Sequence, residues 1–281
     1  MINIYLYVLI FFIIIYFYFS YVNNIKEGFE DNEDSLINEK YYNTKVDYES
    51  IYDDFYSFYA DKIYFNNEEY KLISNIIIDN INTVFNNHLA IGIKHGGHIN
   101  SYLNNTINTK SISKSKSIIE KCKYNYNDLD FEYINDYSSP YTFDNNEFTH
   151  ISILDDELYY QEDIIELLSN CYEWLMFKGK LFLQVYYSKA DFVNKYKNLR
   201  RFNIKRYTYT KQLMQNGSSN NYTFIEKIKL NSSSKERTNI HNLFYYDNDY
   251  IVSICKKMGL DMMYEKDIHN NCKLIVLQKV K

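Results

Sequence analysis

The sequence predicts an α/β domain built on a mostly parallel sheet and carried behind a single transmembrane helix. Three observations lead there. From about residue 50 onward, stretches with apolar residues at helical spacing alternate with short apolar runs of strand length. Near the end, residues 261–268 and 273–279 read as two strands joined by a tight connection, so they must pair antiparallel or lie apart. At the start, residues 4–22 carry no charge. Strands separated by helices argue for parallel order with both sheet faces covered. The closing pair argues that the sheet ends in an antiparallel strand.

Residues 4–22 read IYLYVLIFFIIIYFYFSYV. At 1.5 Å per residue such a helix spans about 30 Å, the hydrocarbon thickness of a bilayer. A cleaved signal peptide has a basic start, a shorter apolar core and small residues at the cut. This stretch instead ends Tyr18-Phe19-Ser20-Tyr21-Val22. An uncleaved transmembrane anchor over residues 1–23 is therefore predicted. Lys26 and Lys40 follow the span and no Lys or Arg precedes it, which points to a membrane protein with a cytosolic C-terminal domain. Sequons at Asn104, Asn216, Asn221 and Asn231 would suit a lumenal side, but an Asn-rich chain makes such triplets by chance. Residues 24–46 are polar and acidic and read as a flexible spacer. Residues 47–281 remain for the folded domain.

Of the 281 residues, 46% are hydrophobic, enough for a sizeable core. The net charge of −5 provides no global basic field, so no nucleic-acid partner is expected. Asn, Ile, Lys and Tyr dominate and share A/T-rich codons, which makes any single Asn or Lys a weaker clue. Cys122, Cys171, Cys255 and Cys272 are scattered without a CxxC pair, as suits reduced thiols.

Within the domain, residues 53–62 and 67–86 have helical spacing, with Leu72, Ile73, Ile76, Ile77 and Val84 as the buried stripe of the second. Residues 88–93 form a short apolar strand. Residues 113–123 form a helix with Ser113 at its start. Residues 130–134 and 148–154 are strand-like. Residues 161–176 form a strong helix, stopped by Gly179, and 180–187 form the next strand. Residues 206–229 and 239–246 read as strands or long loops around a polar Gly-Ser-Ser-Asn-Asn tip. Residues 247–258 form a helix closed by Gly259.

The most informative stretch is Leu89-Ala90-Ile91-Gly92-Ile93-Lys94-His95-Gly96-Gly97, where an apolar strand turns toward a helix. Glycines there let the backbone approach a ligand and aim N–H groups at it. LAIGIKHGGHINSYL (89–103) resembles the loop after the first strand of the class I S-adenosylmethionine-dependent methyltransferases. SISKSKSIIEKCK (111–123), FEYINDY (131–137), FTHISILDDELYY (148–160) and NCYEWLMFKGKLFLQ (170–184) resemble that family's later segments, in order and at the right spacing. Residues 53–59 resemble the helix that covers the cofactor in many members. The resemblance spans about residues 50–281.

It implies a Rossmann-like sheet of seven strands and S-adenosylmethionine as cofactor. It assigns Gly92, Lys94, Gly96, Ser113, Asp136 and Asp155 to cofactor-binding positions. The chain also departs from the family. Ala90 stands in place of the first acid, Lys94 in place of the middle glycine, and Ser113 (or Ser111, with a shift of two) in place of the acid that takes the ribose hydroxyls. A charged hydrogen bond of that kind contributes about 1.5–3 kcal/mol, roughly ten- to a hundredfold in affinity. Lys94 brings bulk and a second cation next to a cofactor that is already cationic.

His95 and His98 sit three apart at a helix start, but no third ligand at metal spacing is near them. Asp155, Asp156 and Glu157 follow the fourth strand at its carboxyl end and read either as a functional cluster or as a solvated acidic turn. His241 and Tyr245 could reach the same crevice, or simply pack. Three functions are compatible with the sequence. One is a membrane-anchored S-adenosylmethionine-dependent methyltransferase with weakened or lost activity. Another is a catalytically inactive binding or scaffold module of the same fold. The third binds a different nucleotide through Lys94.

Overall fold

The computed structural model describes residues 41–64, 67–81, 85–94, 96–126, 129–198, 203–204, 207–217, 220–269 and 271–281. The stretch expected to anchor the chain, residues 4–22, lies outside them, as do Val84 and His95. Among the described residues no helix is long and apolar enough to cross a membrane.

From residue 43 the chain opens with a short strand, β1 (Thr44–Lys45), then three helices: α1 (Tyr48–Ile51), α2 (Asp54–Tyr64) and α3 (Asn67–Asn80). Asp47 caps α1 by accepting a hydrogen bond from the Ser50 amide at 2.9 Å. Seven strands then build the main sheet: β2 (His88–Ile91), β3 (Thr109–Ser113), β4 (Asp130–Tyr133), β5 (Phe148–Ile153), β6 (Leu175–Tyr186), and, late in the chain, β11 (Leu260–His269) and β12 (Cys272–Lys279). Their spatial order is β11-β12-β6-β5-β2-β3-β4. Strands β2 to β6 run parallel, with α4 (Ile99–Asn104), α5 (Lys116–Asn125) and α6 (Ile164–Trp174) in their crossovers. Every residue of β2 is buried, as expected of a central strand paired on both sides.

The final hairpin is antiparallel, as the sequence indicates, but the antiparallel strand is not the sheet's edge. β12 inserts between β6 and β11, which leaves β11 outermost. A helix, α8 (Asn248–Met258), precedes the hairpin and ends where Gly259 takes φ +102° and donates to the carbonyls of Cys255 and Lys256.

Two expectations are corrected. Gly179 does not stop α6. That helix ends at Trp174, and Gly179 lies inside β6, where a Cβ would stand 2.8 Å from the Met176 carbonyl oxygen and 3.0 Å from that of Thr149. It is glycine because backbones meet there. The helix predicted from residue 113 begins at Lys116 instead, because Ser113 is the last residue of β3 and Ser115 is the N-cap, accepting from the Ile118 amide.

Between α7 (Lys189–Asn198) and α8 the chain forms a second sheet of β7 (Asn203–Ile204), β8 (Tyr207–Gln215), β9 (Asn221–Leu230) and β10 (Glu236–Phe244). Its order is β1-β10-β9-β8-β7, with β1 parallel to β10 and the other pairs antiparallel.

Candidate functional site

The carboxyl ends of β2 to β5 form the edge at which open α/β sheets hold ligands. Gly92 leaves β2 with φ +80° and donates its N–H to the Ile112 carbonyl at 3.1 Å. The expected cofactor position is thus a strand-to-helix loop. Its open face is already filled. A Cβ built on Gly92 would overlap Cβ and Cγ of Glu157 and stand 2.8 Å from its Oε2. Glu157 is 0% exposed. Its carboxylate accepts from the Tyr48 hydroxyl at 3.0 Å and from the Gln161 amide at 3.2 Å. Lys114 donates to the same Gln161 side chain at 2.9 Å.

Lys94 is the second occupant. It is 4% exposed, and its ammonium lies 3.9 Å from the centre of the Tyr160 ring and 5.9 Å from that of Tyr52. Burial lowers its pKa, and the charges of Glu157, Asp156 and Asp155 oppose that shift without cancelling it. Gly96 has φ +65°, and a Cβ there would stand 3.4–3.5 Å from side-chain atoms of Ile99, Tyr126 and Cys122, so the loop lies close to α5 at this point.

The remaining expected positions divide. Ser113 ends β3 instead of opening a helix; it is fully buried and its Oγ accepts from the Ser115 amide at 3.3 Å. Asp136 follows β4 at the surface, where it takes the amide and the hydroxyl of Ser138 at 2.9 and 2.5 Å. Those hydrogen bonds lower its pKa. Asp155 has φ +53°; its own N–H donates to the Gln184 side chain at 2.9 Å, and its carboxylate lies 3.9 Å from His98 Nε2. Gly92, Lys94 and the acids after β5 are therefore brought together, while Asp136 stands apart in solvent.

The Asp155–Glu157 turn is not solvated. Asp156 is buried, with Lys195 Nζ at 2.8 Å, the Tyr196 hydroxyl at 3.0 Å and the Tyr186 hydroxyl also donating. Burial alone would raise its pKa, but the Lys195 and Lys94 charges and these hydrogen bonds bring it down to about 2.

Sequence reasoning singled out Glu157 among the acids after β5 but not its place against Gly92, and it missed Tyr52, Tyr160 and the polar network behind Tyr160. The Tyr160 hydroxyl meets His241 Nδ1 at 2.7 Å, and His241 Nε2 meets Glu226 at 2.8 Å. Glu226 is 0% exposed and also takes the hydroxyls of Tyr56 and Tyr209. Burial raises its pKa, yet His241 and the two tyrosines hold it at about 2. One signal was available: Tyr222, Phe224, Ile228 and Leu230 alternate inward on β9, and Glu226 sits in that apolar register. A cleft of about 270 Å³ beside the network is lined by Tyr48, Lys114, Tyr160, His241 and Phe244 among others. Among the described residues no cluster of three or more His, Cys, Asp or Glu is arranged to hold a metal.

The cofactor implied by the resemblance needs an uncovered glycine face, an acid after β3 and room beside the loop. Here Glu157 covers the glycine, Ser113 is engaged with the Ser115 amide, and the buried Lys94 ammonium lies over the Tyr160 ring beside the loop. In this arrangement the residues do not fit it, and no chemical step is derived through it.

No protein family matches the sequence, and no curated protein does. Solved structures are similar over most of its length. An S-adenosylmethionine-dependent methyltransferase from Clostridium acetobutylicum has TM-score 0.63 at 13% identity, covering 79% of this chain and 96% of its own. The sugar N-methyltransferase KedS8 from a Streptoalloteichus species has TM-score 0.61 at 10% identity, covering 80% and 92%. CalS10 from Micromonospora echinaspora, an amino pentose methyltransferase solved with S-adenosylmethionine bound, has TM-score 0.59 at 10% identity, covering 79% and 95%. At such identities the likeness bears on architecture alone, and the chain has the class I S-adenosylmethionine-dependent methyltransferase fold.

Proposed function

We propose that this chain is a membrane-tethered protein of methyltransferase fold whose binding of S-adenosylmethionine is weakened or lost, and which acts as a binding module. The observation that carries the reading is Glu157, fully buried against the face of Gly92 where a cofactor would lie. Ala90, Lys94 and Ser113 support it, since each stands where the family's loop has an acid or a glycine. A phosphate ligand at Lys94 is not favoured, because the ammonium is covered by the Tyr160 ring and attracted by three carboxylates.

Calorimetry of the purified protein with S-adenosylmethionine and S-adenosylhomocysteine tests the reading. No saturable heat in the micromolar range is expected. Micromolar binding abolished by Asp136→Ala would refute it. The tether rests on the uncharged residues 4–22, with the folded domain on the cytosolic side. Deleting residues 1–23 should move the protein from the membrane pellet to the supernatant, and continued pelleting would contradict a tether at this segment alone.

A further inference from the structure

A buried ammonium is costly unless something replaces its water. At Lys94 the replacement is made of rings and charges. Tyr160 presents its face at 3.9 Å and Tyr52 at 5.9 Å, both within the range of cation–π attraction. Asp155, Asp156 and Glu157 supply negative charge from the turn after β5. The rings are fixed before any cation arrives. The Tyr160 hydroxyl is held at 2.7 Å by His241, which Glu226 holds in turn at 2.8 Å. Tyr52 and Tyr160 bring their hydroxyls to 3.5 Å, and Tyr48 packs on both rings at 4.7 and 5.3 Å.

We propose that Lys94 is the crevice's own tethered ligand: its ammonium occupies an aromatic seat made by Tyr52 and Tyr160, and a small onium ion takes that seat once the lysine side chain is removed. The seat suits a quaternary ammonium or a sulfonium, whose diffuse charge asks for π faces and nearby carboxylates rather than hydrogen bonds. This rests on the reading that S-adenosylmethionine binding is weakened, and it names the competitor. A ligand entering the crevice of the wild-type protein must first displace Lys94, so its apparent affinity falls by the fraction of molecules in which the lysine is out.

The test uses tetramethylammonium chloride as probe, titrated by NMR into the purified full-length protein, with sodium chloride as the ionic-strength control. Wild type should not saturate. Lys94→Ala should saturate in the millimolar range or tighter, and adding Tyr160→Leu should weaken that binding at least tenfold. A folded Lys94→Ala protein that does not bind, or that binds regardless of Tyr160, overturns the proposal. So does wild type binding the probe as well as the variant. Micromolar S-adenosylmethionine binding by wild type would instead sink the functional reading above. A second measurement does not depend on the folding of Lys94→Ala. Under reductive methylation of wild type, read by mass spectrometry, Lys94 should be protected while the exposed Lys71 and Lys256 react. Equal labelling would overturn the seat.

Discussion

Replacing Gly92 by alanine separates a glycine kept for a ligand from one kept for a neighbouring side chain. The backbone there is left-handed at φ +80°, which for an L-residue costs about 1–2 kcal/mol. The new methyl also overlaps Glu157 Cβ and Cγ, and Glu157 cannot swing away because it is buried and held by Tyr48 and Gln161. Overpacking of that kind costs about 1–3 kcal/mol. Together Gly92→Ala should destabilise the ligand-free protein by about 2–5 kcal/mol, read as the shift in urea midpoint multiplied by the slope. The two parts can be resolved. Glu157→Gly removes the obstructing atoms, so in a double-mutant cycle about 1–3 kcal/mol of the Gly92→Ala penalty should vanish while the backbone part stays. A Gly92→Ala protein within about 0.5 kcal/mol of wild type, or one whose cost is unchanged by Glu157→Gly, would refute the packing role.

Two further predictions concern the buried polar groups. Glu226→Ala removes the buried carboxylate that accepts from the hydroxyls of Tyr56 and Tyr209 and pairs with His241 Nε2, so a loss of about 3–5 kcal/mol in urea unfolding is expected; a loss below about 1 kcal/mol would contradict it. Burial lowers the pKa of His88 to about 3 and that of His150 to about 4. Since the folded state resists protons that the unfolded state accepts, their stability contribution is complete above about pH 6.5 and declines as pH falls toward 4. The slope should approach about 1.4 kcal/mol per pH unit for each histidine. His88→Asn should flatten it by about half, and an unchanged slope would count against the assignment.

The fold was legible where local chemistry and periodicity agree. Gly259 closing α8 and the two closing strands needed no long-range information. The end of α6 was not legible, because Leu175, Met176 and Phe177 continue the apolar pattern while the chain changes from helix to strand. β3 was hidden for the opposite reason. Its residues, Thr-Lys-Ser-Ile-Ser, are polar, yet it is buried between β2 and β4. At the site, the sequence placed Gly92 and Lys94 on the loop that follows an apolar strand, where they lie, but not the direction in which Lys94 turns, since its partner Tyr160 follows a strand distant in the chain. The acids after β5 left a solvated turn open as a reading. They are covered because α7, which has no strong sequence signal, brings Lys195 and Tyr196 down onto Asp156.

The central claim is that the crevice is filled from within, by Lys94 above the Tyr160 ring. Its most direct test is the proton chemical shift of the Lys94 ε-methylene group. Ring current should move it well upfield of the other lysines, Tyr160→Leu should abolish that displacement, and S-adenosylhomocysteine should leave it unchanged. A Lys94 resonance at the ordinary lysine position, or one that moves on adding S-adenosylhomocysteine, would contradict the account.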